Sequence, residues 1–297
     1  MQPWHVSVIG TLVLVLGQSP APPPLQHPHE TGQPPQQLGT VVFETSCDPA
    51  LQPQMNRAVA LLHSFWFGAA TTAFTEIAQK DPTCGIAWWG VAMSRWGNPF
   101  APGRPVAAVQ QGLEAIKKAR AAGAKTPRER DYIEAAAALF TDFETVDHRT
   151  RIVNYEKAMQ RVHEKYPDDR EAAAFYALAI NQTAIPTDKK YTQQLKAAAI
   201  LEELFKDMPD HPGVAHYLIH AYDHPPLAER ALPAARAYAK IAPDAPHALH
   251  MPSHTFTRVG HWEDSIATNR ASAEAARKAN SPSEILHALD YQVYAYL

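Results

Sequence analysis

From residue 45 onward apolar residues, many of them alanine, recur at spacings of three and four, and no stretch alternates convincingly with period two. Such a pattern gives a helix one stripe to bury and gives a strand no face. It predicts an all-α chain with helices over about 52–66, 69–80, 84–96, 105–122, 127–143, 148–165, 168–181, 189–207, 211–222, 226–241, 246–259, 261–279 and 283–297. Most gaps carry proline, as in Asp81-Pro82, Thr126-Pro127, Pro167-Asp168, Pro209-Asp210, Pro243-Asp244 and Ser281-Pro282. Proline is tolerated in the first turn of a helix and excluded from its middle, so these prolines mark joints between helices.

The helices also repeat. Pro209 and Pro243, His216 and His250, and His220 and His254 are each 34 residues apart. In Gly260-His261-Trp262-Glu263-Asp264-Ser265-Ile266 a glycine makes the turn, an aromatic packs on it and a small Ser265 lets the next helix approach. Ala70, Phe74 and Pro82 carry the same order of small, aromatic and terminating residues, and Ala231 and Pro243 repeat part of it. This 34-residue helix-turn-helix unit resembles the tetratricopeptide repeat (TPR), whose fold is a right-handed α-α superhelix. The resemblance is strong over residues 51–96 and 210–282 and weak over about 100–165, where the units are irregular. More narrowly, LLHSFWF, DPTCGIAWWGVAMSRWGNPF, HPGVAHYLIHAYDHPPLAERAL and APHALHMPSHTFTR are similar to a group of exported bacterial TPR proteins. That likeness implies a fold and export, and no reaction.

In a TPR, positions 2, 5, 9, 12 and 13 of each unit line the concave groove. Counted from Pro212 these are Gly213, His216, His220, Asp223 and His224; counted from Pro246 they are His247, His250, His254, Thr257 and Arg258. A last, incomplete unit displaced by three residues offers His287 and Tyr291 at positions 5 and 9. Eight of the 15 histidines lie between His211 and His261, and six of those eight fall on the groove. Histidines at i and i+4 stand one turn apart on one face, the spacing that a transition-metal ion bridges. Three such pairs occur, 216/220, 220/224 and 250/254, where composition predicts roughly one. With neighbouring inner helices about 8–10 Å apart, His216, His220, His250 and His254 are expected to converge on one ion, with Asp223, His287 or Tyr291 at its edge. Imidazole and carboxylate suit Zn, Cu, Ni or Fe without choosing among them. Duplication of an ancestral unit would copy the same histidines with no metal, and a wet groove of neutral His and Asp could bind a peptide instead.

His63, Trp89, Met93 and Trp96 also fall on inward positions, where aromatics read either as a groove for an apolar or extended ligand or as packing between units. Arg258 could hold a carboxylate through its planar fork or cap a helix. The sequence contains no HExxH, CxxC, Gly-x-Ser-x-Gly or phosphate-binding glycine loop.

Val6 to Leu16 is an eleven-residue apolar run, too short to span a bilayer and of signal-peptide length, although no Lys or Arg precedes it. Seven of the sixteen residues from Pro20 to Pro35 are proline, which predicts an extended linker. The expected organisation is a signal peptide at 1–21, a Pro-rich linker at 22–44 and a TPR-like domain at 45–297, with periplasmic or secreted localisation. An exported chain permits one disulfide between Cys47 and Cys84, each just before a predicted helix; two buried thiols are the alternative. Lys+Arg 27 against Asp+Glu 30 leaves no field for nucleic acid or an anionic membrane. Residues 283–297 read as the first helix of a unit whose second is absent, so the chain is expected to continue into or pack on further helices.

Two functions stand on this reading. One is an exported scaffold that binds a peptide, protein or small ligand in a His-lined groove holding a transition metal. The other is a metal-dependent hydrolase or oxidase in which the four histidines are ligands, Asp223 a base or orienting group and Arg258 a substrate contact. Metal buffering would use the same ligands without a substrate pocket.

Overall fold

Short polar caps and prolines set where the helices begin. Thr126, Asp147 and Asp169 each accept a hydrogen bond from a backbone N–H in the first turn that follows, satisfying donors that a helix start leaves open. Pro127, Pro212, Pro246 and Pro282 are the first residues of their helices. The computed structural model describes residues 36–297; the expected signal peptide and linker residues 22–35 lie outside the described residues.

The helices are α1 Gln52–His63, α2 Phe67–Lys80, α3 Gly85–Trp96, α4 Val106–Ala122, α5 Pro127–Ala137, α6 His148–Lys165 and α7 Arg170–Gln182. They continue as α8 Thr192–Asp207, α9 Pro212–Tyr222, α10 Leu232–Ile241, α11 Pro246–His250, α12 Pro252–Arg258, α13 Trp262–Lys278 and α14 Pro282–Tyr296. Each packs on its successor, and the inner helices also pack one unit on: α1 on α3, α3 on α5, α7 on α9, α9 on α12 and α11 on α14. The result is an all-α, TPR-like array. The expected helix over 246–259 is two, α11 and α12, because Pro252 lacks the N–H that would continue α11. The expected helix over 127–143 ends at Ala137 and runs on as turns. Among the described residues no helix is long and apolar enough to cross a membrane.

A further contact changes the groove. α1 packs on α9, far along the chain, so the N-terminal inner face turns on itself and fills with its own side chains. Trp89, Met93 and Trp96 are buried there, which corrects their reading as groove residues. Trp89 stacks on Phe43 at 5.2 Å and meets Tyr132 and Phe175 edge-on at 5.5 and 5.4 Å. Aromatic edges and faces satisfy one another in this core and leave no room for a ligand.

Phe43 belongs to a segment read above as linker. Leu38, Val41 and Phe43 are buried, Thr40 N–H donates to the Asp210 carbonyl and Gln37 N–H to Asp244 Oδ2. Residues 36–44 are therefore packed with the domain rather than extended away from it. Its alternation of Val41 and Phe43 inward against Val42 outward is too short to register as a period. Cys47 and Cys84 are joined in a disulfide with their Cα atoms 5.0 Å apart, tying this strap to the start of α3.

Candidate metal centre

The site is built on the anchoring of α9. Glu171, in the first turn of α7, is buried and receives His63 Nε2–H at 2.8 Å from the end of α1 and His211 Nε2–H at 3.0 Å from the start of α9. His63 Nδ1 accepts from the Tyr217 hydroxyl at 2.7 Å and His211 Nδ1 from the Val214 N–H at 3.2 Å. Every nitrogen and both carboxylate oxygens are thus used with both rings neutral. Burial lowers the His63 ring; burial would raise Glu171, but the flanking His211 and His63 hold it below the usual carboxylate range. No imidazole nitrogen of this triad keeps a free lone pair for an ion. A Cβ on Gly213 would strike the His63 ring, so a glycine is what admits that ring against α9. His63 is therefore an interior tie and does not line a groove.

The end of α1 also presents the His63 carbonyl, one of the carbonyls a helix terminus leaves unpaired. His216 Nδ1–H donates to it at 2.6 Å. Phe65, held at φ 54° in the turn that follows, lays its ring 4.3 Å from His216, 5.5 Å from His247 and 5.7 Å from His220.

His216, His220 and His247 form one set in which one ring nitrogen of each lies within 4.8 Å of the others, and His250, His254 and His287 form a second. The single four-histidine centre expected from spacing is not formed. The four divide between two neighbouring sets, since successive inner helices offset them by a full unit, and His247 and His287 supply the third members. The sets adjoin: the ring centres of His247 and His250 are 6.0 Å apart and those of His220 and His254 6.3 Å.

The Nε2 atoms of His216 and His220 are 3.0 Å apart and those of His250 and His254 3.1 Å. Two nitrogens bound at 2.0–2.1 Å and about 90–100° apart on one ion are separated by about 3 Å. In the second pair neither Nε2 can carry a proton in the neutral state. His250 Nδ1–H donates to Asn269 Oδ1 at 2.7 Å, and Asn269 Nδ2 donates to the Ser265 carbonyl, which fixes that oxygen toward the ring. His254 Nδ1–H donates to Asp223 Oδ2 at 2.9 Å, and Arg258 Nε holds the other Asp223 oxygen. With both rings neutral, two bare lone pairs face each other, which is repulsive until an electrophile, a proton or a metal ion, lies between them. Burial and neighbouring imidazoles push His216, His220 and His250 well below the usual range. Nδ1 tied to a carbonyl, an amide oxygen and a carboxylate, with Nε2 turned inward, is how proteins orient histidine ligands.

The other expected residues fall as follows. Asp223 orients His254; burial would raise its carboxyl, but His254 and Arg258 hold it below the usual range. Tyr291 places its hydroxyl 3.4 Å from His254 Nδ1 and its ring 4.7 Å from both His250 and His254; burial pushes its phenol up to about 12. Thr257 and His224 leave the groove. Thr257 Oγ1 bonds Ser265 Oγ on α13 at 2.8 Å, and His224 packs on Tyr191 with ring centres 4.8 Å apart. Cys47, Cys84 and Asp81 also cluster, but the disulfide removes the thiolates. Sequence reasoning missed Asn269, on an outer helix with no groove register, and the His63 carbonyl, which no side-chain pattern encodes. Glu284, 3.6 Å from His247 Nδ1, was missed although its register in the last unit could have revealed it.

No family model and no curated protein matches the chain. Among solved structures it is similar to Naa15/Naa10 bound to HypK-THB, at 14% identity and TM-score 0.35, over 80% of this chain and 34% of that one. It is also similar to the TPR domain of P58(IPK), at 12% identity and TM-score 0.27, over 83% and 98%. The chain spans about a third of the length of the first.

Proposed function

We propose that this protein is a helical scaffold that binds transition-metal ions on its histidine-lined inner face, leaving a coordination position on each ion for an exogenous small ligand. The observation that supports it is the His250–His254 pair, whose Nδ1 atoms are both committed and whose Nε2 lone pairs face each other at 3.1 Å. Three imidazoles per ion suit zinc or copper and leave a tetrahedral ion one open position, the arrangement of reactive and exchangeable sites more than of closed structural ones. An extended peptide in the N-terminal groove is not part of this reading, because that interior is filled. The same reading includes export from the cytoplasm, which the Cys47–Cys84 disulfide and the apolar run Val6–Leu16 support.

The test is elemental analysis of protein purified without a His-tag and exposed in turn to Zn(II), Cu(II), Ni(II) and Fe(II), beside His220→Ala/His254→Ala, which breaks both sets. The expectation is stoichiometric metal in the parent and less than about a tenth of an equivalent in the variant, since each ion loses a ligand. Less than that in the parent with every ion overturns the proposal.

A further inference from the structure

The unit register relates the two sets to each other. His216 and His220 hold positions 5 and 9 of one unit and His247 position 2 of the next. One unit further on, 34 residues plus the three-residue displacement of the last unit for the third member, these positions are His250, His254 and Glu284. Glu284 therefore stands to the second set as His247 stands to the first. It lies in the first turn of α14, one turn before His287 on the same face. Its Oε2 is enclosed, without a hydrogen-bond partner, 3.6 Å from His247 Nδ1, and His247 Nε2 is likewise buried and unpartnered. One carboxylate thus faces His247 of the first set and stands one turn before His287 of the second.

Electrostatics asks for such a group. Two divalent ions on six neutral imidazoles would place about four positive charges in a partly buried site, and charge removed from water is costly unless compensated. Asp223 is already committed to His254 and Arg258 and Asp290 is exposed on the last helix, whereas Glu284 turns an enclosed, unpartnered oxygen toward His247. We propose that the two histidine sets and Glu284 form one dinuclear centre for first-row divalent ions, in which Glu284 serves both ions as the fourth donor and an exogenous ligand enters as a fifth. This rests on the metal-binding reading above.

The test uses the full chain stripped by chelator, loaded with Cu(II) and dialysed, with copper counted by elemental analysis and unpaired spins by electron paramagnetic resonance. The expected result is two coppers per chain and a spin-coupled spectrum, with a half-field transition or with fewer than half the coppers counted as isolated spins. Glu284→Gln, which keeps the side-chain size and all six histidines, is expected to weaken the second copper at least about tenfold, with far-UV circular dichroism unchanged; Glu284→Asp recovers part of the affinity. No copper in the wild type overturns the metal-binding reading and this one with it. A single copper, or two that give full isolated-spin intensity, overturns the dinuclear centre and leaves metal binding standing. Unchanged affinity in both Glu284 variants overturns the role of Glu284.

Discussion

At the scale of the residue, what distinguishes a ligand from a structural histidine is where its second nitrogen is spent. His63 and His211 spend both on Glu171, Tyr217 and a backbone N–H; His250 and His254 spend one each and turn the other toward its neighbour. The i, i+4 spacing shows that His250 and His254 share a face. Their tautomers come from Asn269 and Asp223, which lie 19 and 31 residues away along the chain. Asn269→Leu removes the acceptor while keeping the volume, so His250 is freed to turn and its preferred tautomer is lost. Metal affinity should fall about 10–100-fold, read by competition with a chelator, while the far-UV spectrum stays unchanged. An unaltered affinity would mean that His250 does not bind through Nε2.

At the scale of the element, apolar period and proline placement predicted nearly every helix, because both act within a few residues of where they stand. The same signals missed the break between α11 and α12, since a proline at a first turn and a proline that ends a helix look alike in sequence. His250 and His254 straddle that break and still face each other, so the one-turn relation survives it. What holds the elements in place is less local: Glu171 of α7 joins the end of α1 to the start of α9. Because its carboxyl is held below the usual range in the fold, the stability it contributes is fully present above its unfolded value of about 4.3 and is lost as pH falls through its folded value. Glu171→Gln should therefore have a lower denaturation midpoint than wild type at pH 7, with the gap closing as the pH is taken from 5 toward 2. Denaturant titrations of both proteins across that range check it, and a gap independent of pH would show that the charge contributes nothing.

At the scale of the molecule, the strap from Gln36 and the Cys47–Cys84 bond hold the N-terminal units closed. The bond spans a separation of 37 residues, for which loop-closure entropy gives roughly 4 kcal/mol of stabilisation. Cys47→Ser/Cys84→Ser, or reductant on the wild type, should lower the unfolding free energy by about 2–4 kcal/mol in a denaturant titration, without changing metal stoichiometry, as the bond lies outside both histidine sets. Loss of metal on reduction would tie the bond to the site instead. Closure is also why the aromatic groove did not materialise: a unit position says which side of a helix faces inward, and whether that inside is open depends on α1 meeting α9. By itself the sequence determined the all-α class, the repeat, the joints and the enrichment of histidine on one face, because each follows from spacing along a single helix or between identical units. Tertiary structure alone decided that four expected ligands belong to two sets, that Trp89, Met93 and Trp96 are core, and that Asn269, Asp223 and the His63 carbonyl set the tautomers. Those outcomes depend on which groups meet across separate helices, and in such contacts the desolvation of a polar atom and the direction of its one remaining lone pair are fixed by neighbours far along the chain.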